Sequence, residues 1–174
     1  MNSLDTVIST HAGMSSPLPL PLPTLVPVKT DDFDDMVTLR IEALRESLER
    51  LGRFDAARAR ERLADGFAPQ YMHHIDVNDQ RIGFVTLRPD DTALPLSLRL
   101  NHLYIRPGAQ GRGTGEWVLN WAKRQAFAAG RDITLSALKL SDANRFYLRH
   151  GFAAVGDSEF DVDYRWSFDS KGLI

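Results

Sequence analysis

The chain has 174 residues, 43% of them apolar, and its 21 basic and 23 acidic side chains leave a formal charge of -2. That balance suits one domain with an ordinary core and excludes a basic nucleic-acid surface or a disordered acidic tail. Cysteine is absent, which removes disulfides, thiolate metal sites and a cysteine nucleophile together.

Residues 1–22 read as an extension ahead of a single domain at 23–174. The run Pro17 to Pro23, alternating proline with leucine, forbids helix and favours extended polyproline conformation. Composition changes at Met14, which makes it a candidate for the native start and puts residues 1–13 in question. Asp5 and His11 fall where a signal peptide would need a basic start and an apolar block, and no run approaches the roughly 20 apolar residues of a membrane span. A cytoplasmic protein without a membrane partner is expected. Histidines at 11, 73, 74, 102 and 150 show no HxxxH spacing, so no metal is expected.

Leu25 to Val28 predicts a first strand. Asp31 and Asp32 then supply capping and first-turn acids for a helix whose stripe is Phe33, Val37, Ile41, Leu44, Leu48 and Leu51, stopped at Gly52. Glu42, Glu46 and Glu49 share that helix and read either as a solvated face partnered by Arg45 and Arg50 or as carboxylates near a site mouth. A second helix, Asp55 to Leu63, is rich in Arg and Ala, lies outside, and is closed by Gly66. Tyr71 to Val77, the turn at 78–80 and Arg81 to Leu87 predict a hairpin.

From Leu96 to Ile105 one long strand is expected. Its apolar side switches near Asn101, as a bulge or splay would produce. Pro107 and Gly108 stop it, and Gln110-Gly111-Arg112-Gly113-Thr114-Gly115 opens a helix with Leu119, Ala122, Ala126 and Ala129 on one face. First-turn N–H groups of a helix lack partners and carry partial positive charge, and glycines let a ligand approach them. The stretch reads as a phosphate cradle or as an ordinary capping turn. GxGxG with Glu116 next is neither the dinucleotide fingerprint nor a P-loop. A strand at Ile133, Leu135 and Ala137 follows, then a short helix from Ser141 to Arg149, then strands from Phe152 to Val155 and Val162 to Phe168.

Gln110, Gly113 and Gly115 fit Q/R-x-x-G-x-G/A between a strand and a helix. Ala143, Phe146, Tyr147, Gly151 and Phe152 fall in register with N-x-A-x-x-F/L-Y-x-x-x-G-F. This pair of motifs resembles the two signatures of the GNAT superfamily of N-acetyltransferases, and the element order agrees over about residues 25–168. The resemblance implies an α/β (α+β) chain of GNAT fold, with a mixed, mostly antiparallel sheet of six to seven strands splayed in the middle and about four flanking helices.

It also implies acetyl-CoA as co-substrate and direct transfer of acetyl to a primary amine that the sequence does not name. The pyrophosphate is expected on the N–H groups of Gly111, Arg112, Gly113, Thr114 and Gly115, with Gln110 beside them and Arg145 or Arg149 reaching the adenosine phosphate. Main chain at Leu103, Tyr104 and Ile105 is expected to pair with the pantetheine arm, with Ser141 and Asn144 contributing. Tyr147 matches the general acid for the departing thiolate, or else packs under the sheet. A glutamate base used by some members falls at Arg99 here, which leaves His102, His73 or His74, or a water chain. A homodimer through the C-terminal strands is also implied. The competing functional reading is an acyl-CoA-binding module that acts as sensor or scaffold without turnover.

Overall fold

The computed structural model describes residues 21–92 and 94–169, so nearly all of the extension expected at 1–22 lies outside the described residues. Eleven elements follow in the order the sequence predicts: β1 Thr24–Pro27, α1 Phe33–Arg50, α2 Ala56–Asp65, β2 Met72–Val77, β3 Gln80–Asp90, β4 Ser97–Ile105, α3 Thr114–Ala129, β5 Asp132–Leu138, α4 Ala143–Arg149, β6 Ala153–Asp157 and β7 Asp161–Trp166. The strands form one seven-stranded sheet, ordered β1-β2-β3-β4-β5-β7-β6. Every neighbouring pair is antiparallel except β4 with β5.

Local chemistry accounts for some boundaries, although Asp32, expected to cap α1, stands at its N-cap without a side-chain capping bond. Asp55 caps α2 by accepting from the Arg58 N–H at 3.2 Å, as short acidic side chains do at helix starts. Asn78 and Asp79 have φ of 50° and 60°, the pair of left-handed residues that a two-residue hairpin turn requires. The last predicted helix starts two residues late. Ser141 does not cap α4, because its hydroxyl donates to Leu138 O at 2.7 Å.

The two faces of the sheet are covered separately. On one, Val118, Leu119, Ala122 and Ala126 of α3 and Tyr147 of α4 pack on Val85, Leu98, Leu100, Ile133 and Leu135; each full burial of a valine or leucine contributes about 1.5–3 kcal/mol. On the other, Met36, Val37 and Leu39 of α1 and Leu63 of α2 cover Met72 and Phe84. Ala129, expected on the α3 stripe, is exposed. In α1 the expected stripe holds only in part: Val37 is buried, whereas Ile41, Leu44 and Leu48 stay half-exposed and Met36, Leu39 and Arg40 go inward.

The bulge expected near Asn101 is present. Thr86 stands opposite His102 and Leu87 opposite Leu100, so Asn101 has no partner on β3. One extra residue re-aims everything after it. Leu98 and Leu100 face α3; beyond the bulge Leu103 and Ile105 pack on that core, while Tyr104 packs with the α1 and α2 core. β5 accompanies β4 only from Ser97 to Arg99, opposite Asp132 to Thr134, and beyond that point the strands diverge.

Candidate active site

The divergence opens a cleft of about 360 Å³ between the two halves of the sheet. Leu103, Tyr104 and Ile105 line one wall, Ser136 to Leu138 with Ser141 and Tyr147 the other, and Leu44 and Leu48 of α1 face the opening. Those half-exposed α1 leucines therefore line a site instead of a core. Over the mouth, the Arg53 guanidinium sits 3.2 Å from the ring centroid of Phe160, joining the α1–α2 loop to the β6–β7 loop.

Main-chain groups point into this gap. Arg106 N–H donates to Ile82 O at 2.8 Å, which with the register Tyr104 opposite Phe84 turns the backbone of Tyr104 and Arg106 toward β3. Antiparallel alternation then turns the N–H and C=O groups of Leu103 and Ile105 outward. Tyr104, expected to pair through its main chain, has that main chain committed to the sheet and offers its ring instead. Gln110 Nε2 donates to Ile105 O at 2.8 Å, tying the following loop to the strand end.

The glycine loop meets the requirement for an anion cradle. Gly111 and Gly113 have φ of 74° and 80°, a left-handed backbone that other residues adopt at a cost. The first carbonyl–amide bond of α3 is Trp117 N–H to Gly113 O at 3.0 Å. Among the described residues no acceptor meets the N–H groups of Gly111, Arg112, Gly113, Thr114, Gly115 or Glu116. Gly115 lets α4 close in: a Cβ there would sit 3.4 Å from the Phe146 ring. Arg112, Arg145 and Arg149 are exposed.

Tyr147 is 8% exposed and packs against the rings of Phe146, Phe152 and Tyr164, with centroids 5.3, 5.5 and 6.1 Å away. Burial first, then the neighbouring Tyr104 phenol, pushes its hydroxyl well above the usual phenol range. It is a neutral donor at any physiological pH.

Other expected residues lie elsewhere. His102 is buried outside the cleft lining, with Nδ1 2.8 Å from Thr86 Oγ1 and its ring 5.8 Å from that of Phe84. Burial, then the charges of Arg40 and Arg88, lower its pKa from 6.5 to about 4. The bulge that frees the backbone of Leu103 is what turns this side chain away. His73 packs edge-on to Trp121 at 5.6 Å, and His74 Nε2 lies 2.8 Å from Asp32 Oδ2. Asn144 is spent on the fold: Nδ2 donates to Leu138 O at 2.9 Å and Oδ1 accepts from the Tyr164 hydroxyl at 2.9 Å. Arg99 reaches across the start of the split to Ser136 Oγ at 2.6 Å. On α1, Glu46 pairs with Arg50 and Glu49 with Arg45, while Glu42 bonds Arg106.

Arg40 and the Arg53–Phe160 stack were not foreseen. Arg40 stands one turn beyond Met36, on the stripe that is buried; an arginine in line with buried apolar residues was the available signal.

A split sheet with a free strand edge leading to unpaired helix-start amides suits an acyltransferase, since the edge can pair with an extended arm and the amides with its phosphates. The family described as acetyltransferase (GNAT) domain matches residues 69–154. Aminoalkylphosphonate N-acetyltransferase of Salmonella typhimurium is 29% identical over 150 residues, covering 76% of this chain and 86% of the relative. In structure the chain resembles the PaiA N-acetyltransferase of Thermoplasma acidophilum, solved with coenzyme A, at a TM-score of 0.67 and 13% identity over 83% of this chain and 98% of that one. It also resembles an acetyltransferase of Thermus thermophilus at a TM-score of 0.66 and 18% identity, over 84% and 97%. Together these likenesses support a GNAT superfamily N-acetyltransferase.

Proposed function

We propose that the chain moves an acetyl group from acetyl-CoA to the primary amine of a small molecule, peptide or protein by direct attack, with Tyr147 as proton donor to the leaving sulfur. The observation that carries this reading is the set of unpaired amides from Gly111 to Glu116, which follow Gln110 at the edge of a gap that Tyr147 also lines. Acetyl-CoA supplies the acetyl group as an activated thioester, and the residues present fit it. The loop amides hold the pyrophosphate, with Arg112 adding charge. The N–H groups of Leu103 and Ile105 pair with amides of the pantetheine arm as an added strand does, and one of them polarises the thioester carbonyl.

The amine's nitrogen bonds to the carbonyl carbon, the carbon–sulfur bond breaks, and the Tyr147 hydroxyl donates toward the sulfur. A phenol this reluctant to ionise serves because the same apolar burial raises the basicity of the thiolate leaving beside it. With Arg99 where some relatives place a carboxylate, and His102 outside the cleft, the amine sheds its proton to water.

Free-thiol release from acetyl-CoA, measured against amino acids, polyamines, aminoglycosides, lysine peptides and aminoalkylphosphonates, tests the proposal. Release with at least one amine is expected. Tight binding of acetyl-CoA without release from any of them replaces the enzyme with a binding module.

A further inference from the structure

Arg40 is 8% exposed, on the inward face of α1. Among the described residues no carboxylate lies within ion-pair distance of it, although acids elsewhere on this wall are taken: Glu42 by Arg106 and Glu46 by Arg50. Asp55 is occupied in capping α2. Arg40 Nη1 donates to Ala59 O at 2.8 Å. Its Nε is sealed from solvent without a partner, and no described residue bonds Nη2. The guanidinium stands 5.8 Å from the Tyr104 ring centroid and lines the cleft.

Desolvating a guanidinium is strongly unfavourable unless an anion accompanies it, so a buried arginine with spare N–H groups is incomplete. Among the described residues nothing nearby supplies the missing charge. Arg58 and Arg62 of α2 line the same side of the cleft and have no carboxylate partner among the described residues; the free acids of the lining, Asp142 and Asp161, belong to the β5–α4 loop and β7. The wall formed by α1 and α2 is therefore cationic, with its least hydrated charge next to the ring that borders the reaction gap.

We infer that Arg40 anchors an anionic group of the acceptor, so that the acceptor is a short primary amine bearing a phosphonate, phosphate or carboxylate. This rests on the N-acetyltransferase reading above and adds the substrate class to it. With Nη1 on Ala59 O and Nε sealed, the N–H groups of Nη2 are the donors left to meet such a group, as a charge-assisted pair. Arg40 and Tyr104 line the same cleft, which suits a short chain between anion and amine.

The test titrates methylphosphonate, acetate and methylammonium by calorimetry into the full chain saturated with coenzyme A, which fills the glycine loop and leaves the anions the α1–α2 wall, where the Arg40 variants single out Arg40 from Arg58 and Arg62. Methylphosphonate or acetate is expected to bind and methylammonium not, and the tighter of the two anions identifies the group. Arg40→Gln is expected to weaken that binding roughly 10- to 100-fold, as loss of a charged hydrogen-bonding partner does, with Arg40→Lys intermediate. In the thiol-release assay, 2-aminoethylphosphonate and β-alanine should exceed propylamine in kcat/KM, and Arg40→Gln should shrink that ratio by a similar factor through KM of the anionic acceptor.

Equal binding of all three probes overturns the inference, as does a wild-type preference for propylamine or spermidine. Should Arg40→Gln not fold, the wild-type titration and the amine comparison decide alone. Absence of thiol release with every amine sinks the enzyme reading, while the calorimetric arm still decides the anion site.

Discussion

Tyr147 meets two demands through one side chain. Its ring closes the core between α4 and the sheet, and the residue also lines the cleft, with a hydroxyl free of any bond among the described residues. Tyr147→Phe keeps the first and removes the second. We expect kcat to fall about 100-fold, the low end of general-acid contributions, with KM for acetyl-CoA and the melting temperature nearly unchanged; equal turnover in the two proteins would remove the tyrosine from the mechanism. His102 is the opposite case, a titratable group whose effect falls on stability. Its folded pKa of about 4 lies below the ordinary 6.5. Between those values the unfolded chain takes up a proton that the folded one refuses, so stability is intact above pH 6.5 and declines as pH falls toward 4. Urea unfolding should show His102→Gln gaining about 2–3 kcal/mol on wild type between pH 7 and pH 4.5, and the rate profile should have no limb from this residue between pH 6 and 8. The place of Tyr147 in the cleft lining was legible because its motif sits in register with Gly151 and Phe152. His102 was misjudged because a histidine next to a site in sequence says nothing of which face it takes beyond a bulge.

At the scale of elements, α3 and its loop were readable because glycine spacing, helix period and capping are local properties. So was the bulge in β4, since a one-residue insertion leaves its mark as a switch in the apolar side. The close approach of β3 to β4 left no such mark. A Cβ on Gly83 would lie 2.2 Å from Tyr104 O, a contact with main chain that no rotamer change relieves. Gly83→Ala should therefore cost about 2–3 kcal/mol, as overpacking does, and displace the strand whose outer edge is proposed to receive pantetheine. Gly108, which has nothing within 4 Å and no left-handed φ, is the control: Gly108→Ala should stay within about 0.5 kcal/mol of wild type. Denaturant unfolding of both variants, paired with acetyl-CoA titration, separates a clash at the strand from a general intolerance of alanine in glycine-rich sequence. The α1 helix shows the limit of periodicity, since a stripe of Leu44 and Leu48 looks the same whether it meets a core or a cleft. Tertiary context alone distinguishes them.

For the whole molecule, the decisive feature is how little joins its two halves. β4 and β5 pair over three residues on each strand, and the pairing of β5 with β7 in place of β6 is a long-range choice that local pattern cannot announce. At the closed end of the split, Asp132, 5% exposed, holds Arg165 Nε at 2.7 Å and accepts from Phe168 N–H at 3.2 Å. Arg165 also reaches Pro95 O at 3.0 Å, and Arg131 reaches Ser97 O at 3.3 Å. These bonds stitch the start of β4 and the strand it parallels to β7. The carboxylate accepts two bonds in a buried place, so removing it strands a guanidinium and a backbone N–H together. Asp132→Ala should lower unfolding free energy by roughly 2–4 kcal/mol. If the clamp also sets the opening of the cleft, acetyl-CoA affinity should fall in the same variant under conditions where it remains folded, with hydrogen exchange rising in β5 and the first residues of β4. Loss of stability with acetyl-CoA affinity intact would mean that the clamp supports the fold and leaves the width of the gap to the bulge at Asn101.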